Sequence, residues 1–528
     1  MLQDHLLVIL ALLFVTSMLA LLSERARISY PILLVLAGLA ISFIPGVPPV
    51  KLNPDIVFMI FMPPLLYSAA WYTSWSAFWK LRQPIGQLAF GLVVFTATAV
   101  AFFAHWLIPD FSLALGFLLG GIISPPDAVA ASSVFQNLKV TKQVTTILEG
   151  ESLINDASSL IVFRFALAAL FTGKFVIWDA AGSFFSVVFF GVLVGLAIAH
   201  VVYAIHRFLP TTPGIDTALT LISPYLMYLT AEHFDSSGVL AVVAGGLFLS
   251  FRSSDIFSYN SRLQGDTVWN VLVFLLNGVV FIMIGLQLPD IIKGIGGYSI
   301  HKCIYFAVAI SLLTIVIRII WVFPAAYFPL LSKRFLKSDK TDLSWKNVFV
   351  VGWSGMRGVM SLASALAVPL TLADGSAFPH RSLVLFIIFV VILFTLILQG
   401  LSLPYILKAM KLPVNDDDKL QEKQITFQLA TVVLNYMNNN CRKELIETPL
   451  FRRVKERYEQ IAETASNELK EGEPDGTTAK KRCDMLLDII DVRRKELERM
   501  QRRREFTDEL IRIKQKELDI EEAGVMGG

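Results

Sequence analysis

Charged residues are scarce in this chain. Asp, Glu, Lys and Arg make up 17% of its 528 residues, whereas a soluble globular protein carries about a quarter. They are also unevenly placed, because residues 411–528 hold 48 of the 89 charged side chains. This distribution excludes a secreted protein, a nucleic-acid-binding protein and a fully soluble enzyme. It favours a membrane domain over residues 1–410, followed by a soluble tail over residues 411–528.

Cysteine is scarcer still. The three cysteines, Cys303, Cys441 and Cys483, are too few and too far apart for a disulfide framework or a metal cluster. The chain also lacks the His-Glu-x-x-His spacing of a metalloprotease and a nucleotide-binding loop. We therefore expect no cofactor and no direct drive by ATP. An intramembrane enzyme is disfavoured as well.

Long apolar runs are what the sequence has in abundance. Hydrophobic residues make up 55% of it, and a membrane-spanning helix needs about 20 such residues in a row. Thirteen segments qualify, although three are short: 6–22, 31–45, 55–71, 85–108, 112–135, 144–171, 180–208, 217–233, 237–251, 268–288, 302–330, 348–372 and 382–409. The sequence thus predicts an all-α polytopic membrane protein of about 13 spans, or twelve if the first segment is not inserted.

The loops between these segments predict the orientation. Fourteen Lys and Arg residues fall in one set of loops and five in the other, and the richer set is expected on the cytoplasmic side. This places the N-terminus outside and the tail in the cytoplasm, and we expect a bacterial inner membrane. Helical stretches near 419–440, 444–470 and 478–522 predict a helical tail that supports or regulates the membrane domain.

Ionisable side chains inside predicted spans mark a transport path, because charge is costly in lipid. On a helix, Asp156 shares one face with Ser152 and Ser159. Carboxylate and hydroxyl oxygens can replace the hydration shell of a small cation such as Na⁺. The same carboxylate can bind a proton instead. The segment predicts a cation site at Asp156 and Ser152, but alone it equally allows a structural Asp held by Asn155 or by a basic partner.

Two predicted spans are interrupted. Pro125 and Pro126 precede Asp127 in the fifth span, and three glycines surround Arg357 in the twelfth. Interrupted spans at corresponding places in two halves point to a transporter's central site. Each is the fifth in a run of six, with the seventh span as linker. The sequence therefore predicts two inverted six-helix repeats with corresponding interrupted helices, in which Asp127 offsets the positive helix ends and Arg357 the negative ones.

These segments resemble the motifs of a known family. Residues 150–157 (GESLINDA), 124–130 (SPPDAVA), 355–359 (GMRGV), 63–66 (PPLL) and 277–286 (NGVVFIMIGL) are similar to those of the electroneutral sodium/proton antiporters of the monovalent cation:proton antiporter-1 family. The resemblance covers about residues 5–410. It implies a homodimer that works by elevator-like alternating access. The moving core would be about 85–171 and 302–409, and the dimer scaffold about 6–71 and 217–288.

The resemblance also implies roles around the predicted cation site. Asp156 would bind cation and proton in turn, with Asn155 as its neutral neighbour and Ser152 as a ligand or support. Because one exchangeable carboxylate carries one charge, exchange of Na⁺ for H⁺ would be electroneutral. Glu151 would form an ion bridge with Arg357 inside the core.

The resemblance further implies that the two interrupted helices cross, that Asp127 caps them at the crossing and that the backbone around Pro126 faces the ion. Two positions depart from the family pattern: Pro126, and Ser68, which stands where relatives often have an acidic residue. Both leave the preference among Na⁺, Li⁺ and K⁺ open. Arg164, two turns beyond Asp156, would either tune the site or pair with Glu149 or a helix end.

The predicted function is a secondary active cation/proton antiporter that serves pH and sodium homeostasis. Its substrates would be H⁺ and Na⁺, Li⁺ or K⁺, and its surroundings membrane lipids, with no nucleic acid. A potassium-preferring antiporter is one alternative. A gated cation channel is another, but nothing in the sequence resembles a repeated carbonyl filter.

Overall fold

The fold was analysed in a computed structural model of the chain. It describes residues 2–26, 29–44, 57–135, 140–172, 177–295, 298–332, 344–372, 375–410, 417–440, 449–471, 476–503 and 508–526. The chain divides into two compact units, Met1–Val414 and Asn415–Gly528.

The described residues of the first unit are almost entirely helical. Its helices are α1 (Leu2–Ala26), α2 (Tyr30–Ser42), α3 (Met62–Tyr72), α4 (Trp75–Lys80), α5 (Arg82–Gly86), α6 (Val93–Leu107), α7 (Leu113–Ile123), α8 (Ala128–Phe135), α9 (Lys142–Thr172), α10 (Ile177–Phe208), α11 (Pro213–His233), α12 (Gly238–Phe251), α13 (Ser253–Ile256), α14 (Tyr259–Leu286), α15 (Leu288–Gly294), α16 (Ile300–Ser332), α17 (Trp345–Trp353), α18 (Val359–Leu366) and α19 (Arg381–Met410). Short π-helical stretches, Val57–Phe61 and Gln87–Leu92, precede α3 and α6.

A helical segment lies at each of the thirteen predicted spans, and the all-α membrane fold is confirmed. Seven helical stretches of the described chain are long and apolar enough to cross a membrane: Arg82–Leu107, Leu113–Phe135, Lys142–Thr172, Phe184–Phe208, Tyr259–Leu286, Ile300–Ala326 and Arg381–Met410. Leu10–Ser23, Tyr30–Ser42 and Gly238–Phe251 are shorter apolar helices. Backbone groups in lipid must be satisfied within the protein, which is why apolar runs of this length become helices.

The fifth and twelfth segments are interrupted where the sequence predicted. α7 ends at Ile123 and α8 begins at Ala128, while α17 ends at Trp353 and α18 begins at Val359. The two halves also pack alike, because α7 contacts α6 and α9, and the α17/α18 pair contacts α16 and α19. The single helix α10 separates the two runs of six, so the second run has the opposite direction across the membrane.

Small residues allow the helices of each half to approach closely. A methyl group added at Gly116 or Gly120 of α7 would collide with the backbone of α6 at Ala101 or Ala97. Such contacts drive helix association in lipid, where the hydrophobic effect between helices is absent. One buried apolar cluster joins the helices around the interruptions, and a second joins α3, α10, α11 and α12. The second cluster also includes Leu153 and Ala157 of α9 and Met360 of α18.

The second unit consists of helical hairpins. Its helices are α20 (Asp417–Asn440), α21 (Pro449–Glu471), α22 (Gly476–Arg502) and α23 (Asp508–Met526). α20 packs on α21, and α22 packs on α23. The stretch predicted as one helix over 478–522 is therefore two. Ion pairs of Arg493 with Glu521 (2.7 Å) and of Arg494 with Asp519 (2.8 Å) hold them side by side.

Candidate ion-binding site

The two interrupted helices cross within the membrane unit. The backbone N–H of Asp127 donates to the carbonyl oxygen of Met356 at 2.7 Å, which joins the two breaks directly. Gly358 is required there, because a Cβ atom at this position would overlap the Asp127 carboxylate. The prolines before Asp127 and the glycines around Arg357 thus leave the backbone free to form this crossing.

Asp127 lies between two helix N-termini. Its Oδ1 accepts the backbone N–H of Val129 in α8 at 2.8 Å, and its Oδ2 accepts that of Val359 in α18 at 3.4 Å. Helix N-termini carry partial positive charge, so the carboxylate offsets both. This is the position that the sequence analysis predicted for Asp127.

Two arginines occupy the C-terminal ends at the crossing. The Arg357 guanidinium donates to the carbonyl oxygen of Ser124, just beyond α7, at 2.7 Å. Arg318 of α16 donates to the carbonyl oxygen of Val351, near the end of α17, at 3.2 and 3.3 Å. Each arginine therefore offsets the negative end of a different helix.

The ion bridge of Glu151 was predicted with the wrong arginine. Glu151 of α9 accepts two hydrogen bonds from Arg318, at 2.5 and 2.7 Å, and both side chains are only 1% exposed. Arg318 reaches Glu151 beside Gly355, where a Cβ would collide with its side chain. Arg357 is directed to Ser124 instead. The planar guanidinium of Arg318 satisfies both carboxylate oxygens, the geometry in which a buried pair is stable.

The predicted cation-binding stretch of α9 lies against the first interruption. The Ser152 hydroxyl accepts the backbone N–H of Ala128 at 3.3 Å, and the Asn155 amide donates to the carbonyl oxygen of Pro126 at 3.2 Å. The side-chain amide oxygen of Asn155, by contrast, is buried and accepts no hydrogen bond from the described residues. Asp156 is 8% exposed. The Ser159 hydroxyl donates to the backbone oxygen of Asp156, so it supports the helix.

A cavity of about 1470 Å³ reaches this stretch. Its described lining includes Asp127, Ser152 and Asp156, together with Pro126 and Ser68. Ser68 contributes to this lining from α3 and is itself 6% exposed. Asn155 and Glu151 of α9 are fully buried and do not belong to the described lining of the cavity. Asp156 is therefore the carboxylate that the cavity makes accessible from α9 at the crossing.

The cavity extends from Asp156 toward one end of the helices. Its lining includes Ser23 near the end of α1, Glu149 near the start of α9 and Lys408 near the end of α19. Arg164 lies on the other side of Asp156, eight residues further along α9, which corresponds to ~12 Å of helix. Asp156 thus stands near the middle of α9, between the cavity and the opposite end.

Arg164 does not approach Asp156 and does not pair with Glu149. Its guanidinium donates to both carboxylate oxygens of Glu232 in α11, at 3.1 and 2.9 Å. Glu232 also accepts the backbone N–H of Gly238, the first residue of α12. This ion pair joins α9 to α11 and α12 on the side away from the cavity, so any effect of Arg164 on the site is indirect.

Sequence reasoning missed three features of the site. These features are Arg318 as the partner of Glu151, and Glu149 and Lys408 as residues of the cavity lining. The spacing of Glu149, Ser152 and Asp156 along one helical face was the available signal for Glu149. Nothing local marks Arg318 as the partner of Glu151, because 167 residues separate them.

Taken together, these groups can bind a small cation or a proton at one carboxylate. The Asp156 carboxylate, the Ser152 hydroxyl and the backbone around Pro126 are oxygen donors beside the same cavity. Such oxygens suit a hard monovalent cation, and protonation of the carboxylate removes its charge and its affinity for that cation. The charges of Glu151 and Asp127 are already offset by Arg318 and by two helix ends.

Comparison with known proteins gives consistent matches over the first unit. A family model described as "Sodium/hydrogen exchanger, transmembrane" matches residues 9–409. A Bacillus pumilus protein named "Sodium, potassium, lithium and rubidium/H(+) antiporter" is 36% identical over 408 residues, which cover 75% of this chain and 60% of that protein. A Bacillus subtilis protein of the same name is 35% identical, with 71% and 57% covered. The matched region thus spans about 60% of the length of these relatives.

A solved structure has the same fold. The sodium proton antiporter MjNhaP1 from Methanocaldococcus jannaschii superposes with a TM-score of 0.60 at 18% identity, covering 77% of this chain and 98% of that one. At this identity, the likeness concerns the arrangement of helices.

Proposed function

Because the chain belongs to the sodium/hydrogen exchanger family and is a multi-pass membrane protein, we propose that it is a secondary active antiporter of a monovalent cation and H⁺. The observation that carries this proposal is Asp156, the carboxylate that α9 presents to the cavity where it meets two crossed, interrupted helices. Cation and proton compete for this group. Loading one ion from each side in turn couples the downhill flow of one to the uphill flow of the other.

The pairing of charges at the crossing supports electroneutral 1:1 exchange. Glu151 is neutralised by Arg318, and Asp127 is offset by the N-termini of α8 and α18. The neighbour of Asp156 in the motif is the neutral Asn155. One carboxylate therefore alternates between one Na⁺ and one H⁺, and the charge it carries across the membrane is the same in both directions.

The shape of the site supports alternating access by an elevator-like movement. The cavity opens toward one end of α9, while the Arg164–Glu232 pair bridges α9 to α11 and α12 toward the other. The core containing the crossing (about 85–171 and 302–409) would slide past a scaffold (about 6–71 and 217–288) that holds a homodimer. With the tail in the cytoplasm, the cavity faces inward. We place the protein in the cell inner membrane, where its exchange serves pH and sodium homeostasis and the tail has a regulatory role.

Na⁺ is the proposed cation, and K⁺ is the second candidate. The Bacillus relatives are named for sodium, potassium, lithium and rubidium together. Ser68, a neutral side chain in the cavity wall, leaves the lining less anionic than an acidic residue would, which suits a site with weak discrimination among these ions.

The test is dissipation of a pH gradient in proteoliposomes on addition of Na⁺, Li⁺ or K⁺. We expect each active cation to collapse the gradient at a rate that a potassium/valinomycin voltage clamp does not change. The order of rates gives the selectivity. Voltage-dependent exchange would contradict the electroneutral proposal, and conductance without cation–proton coupling would indicate a channel.

The Arg164–Glu232 pair gives a direct test of relative movement. In a background without the three native cysteines, Arg164→Cys/Glu232→Cys joined by a short bifunctional thiol reagent should reduce exchange to the uncrosslinked fraction, because α9 can no longer move past α11. Exchange is measured before and after cross-linking.

The matched control joins two helices of the proposed scaffold. Tyr72 of α3 donates to Asp266 of α14 at 3.4 Å, so Tyr72→Cys/Asp266→Cys should tolerate the same reagent. Full activity of the cross-linked Arg164→Cys/Glu232→Cys protein would rule out the proposed movement of α9 against α11.

A further inference from the structure

A second carboxylate faces the cavity from α9. Glu149 precedes Asp156 by seven residues, and Glu149, Ser152 and Asp156 lie at i, i+3 and i+7, on one face of the helix. All three belong to the described lining of the cavity. Seven residues of helix separate the two carboxylates by ~10 Å along the axis. An ion that moves between the mouth of the cavity and Asp156 therefore passes Glu149.

Glu149 differs from the other acidic groups near the crossing. Glu151 is paired with Arg318, and Asp127 accepts two backbone N–H groups. By contrast, no hydrogen bond or ion pair joins Glu149 to any other residue in the described part of the chain. The side chain is partly exposed. Within the described part of the chain, its negative charge therefore acts on the cavity without an ion-pair partner.

One basic side chain opposes it. Among the described residues that line the cavity, Lys408 of α19 is the only Lys or Arg, and it is exposed. Lys408 follows Gly400, Leu401, Pro404 and Tyr405 of the same helix along the cavity wall. Among the described lining residues, the mouth therefore contains one acidic and one basic side chain, Glu149 and Lys408, on helices from the two halves of the fold.

We infer that Glu149 and Lys408 set the cation affinity of the transport site electrostatically, with Glu149 raising it and Lys408 lowering it. Glu149 holds the local cation concentration high and stabilises a cation bound at Asp156. Lys408 repels the same ion. Neither side chain ligates the cation at Asp156, so both act on affinity through the field in the cavity. This inference rests on the proposed antiport function.

Coulomb's law gives the size of the effect. At a separation of ~10 Å, one unit charge changes cation affinity about 2-fold if the cavity behaves as water and about 15-fold at an effective dielectric constant of 20. This distance equals the Debye length at about 0.1 M salt. The effect should therefore fade as ionic strength rises, which a ligand or a structural contact would not do.

The experiment measures initial rates of pH-gradient dissipation against Na⁺ concentration in proteoliposomes, at fixed pH and at low and high ionic strength set with choline chloride. Glu149→Gln should raise the KM for Na⁺ by about 2- to 15-fold at low ionic strength, with a smaller change in maximal rate. Lys408→Gln should lower the KM for Na⁺. At high ionic strength, both KM values should converge on that of the wild type.

Glu149→Asp, which keeps the charge, is the matched control and should resemble the wild type. Lys408→Glu tests the same field from the other wall and should lower KM further than Lys408→Gln, even if Glu149→Gln folds poorly. Equal KM values for wild type, Glu149→Gln and Lys408→Gln would overturn this inference but not the proposed antiport function. A KM shift that persists at high ionic strength would also overturn it, in favour of direct ligation. A wild type without cation-dependent exchange would overturn the proposed function itself.

Discussion

Replacement of Asp156 by asparagine is expected to abolish cation–proton exchange, down to the level of protein-free liposomes. Asparagine has almost the same shape but can neither release a proton nor carry the charge that binds the cation. Asp156 is the carboxylate that α9 presents to the cavity at the crossing, whereas the two other described carboxylates at the crossing, Glu151 and Asp127, already have hydrogen-bond partners. The measurement is cation-induced dissipation of a pH gradient.

Folding of the Asp156→Asn protein should be intact. Asparagine keeps the size and shape of the Asp156 side chain and adds no buried charge, so the thermal unfolding temperature should stay the same or rise. Wild-type protein at a Na⁺ concentration ten times its Kd should gain about 1.4 kcal/mol of stability from binding, whereas the variant should gain none.

Asp235→Asn is the control for this change. Asp235 lies between α11 and α12 with a positive φ of 52°, a conformation that asparagine also adopts readily. It should transport like the wild type. Exchange at the wild-type rate in Asp156→Asn would mean that another group carries the ion, and Asp127 would be the next to neutralise.

Loss of either partner of the Glu151–Arg318 pair is expected to destabilise the membrane domain by about 3–5 kcal/mol, because it leaves a buried charge without compensation. That is a large share of the ~5–15 kcal/mol that holds a typical domain folded. Glu151→Gln and Arg318→Met should therefore each lower the thermal unfolding temperature of the purified protein strongly. The double variant should recover much of this loss, since no unpaired charge remains.

A double-mutant cycle distinguishes the two arginines. Coupling between Glu151 and Arg318 should be large, because their side chains share two hydrogen bonds. Coupling between Glu151 and Arg357 should be much smaller, because Arg357 donates to the backbone of Ser124. A larger coupling energy for the Arg357 cycle would show that the ion bridge is the one the family resemblance implied.

Much of the fold follows from local sequence. Each apolar run became a helix because lipid leaves backbone groups no partner outside the chain. The interruptions at Pro125–Pro126 and around Gly355 and Gly358 follow from residues that prevent or loosen a regular helix at those positions. The face shared by Ser152 and Asp156 follows from helical periodicity, and the structure orients that face toward the cavity.

The pairing of charges did not follow from local sequence. Arg318 and Arg357 are both buried arginines of the second half, and either could in principle reach Glu151. The choice depends on how α16 passes α9 and on the space that Gly355 leaves for the Arg318 side chain. Likewise, Arg164 of α9 pairs with Glu232 of α11 because the two helices are neighbours in space, although 68 residues separate the two side chains along the chain.

The sequence by itself thus determined which segments are helical, where two of them break and that Asp156 shares a helical face with Ser152. Tertiary structure alone decided that Arg318 neutralises Glu151, that Arg164 pairs with Glu232 and that Glu149 faces the same cavity as Lys408. The physical reason is the separation along the chain of the residues that interact. Helix formation and helix breaking depend on neighbouring residues, whereas a buried charge needs a partner within hydrogen-bonding distance, and only the packing of distant helices supplies it.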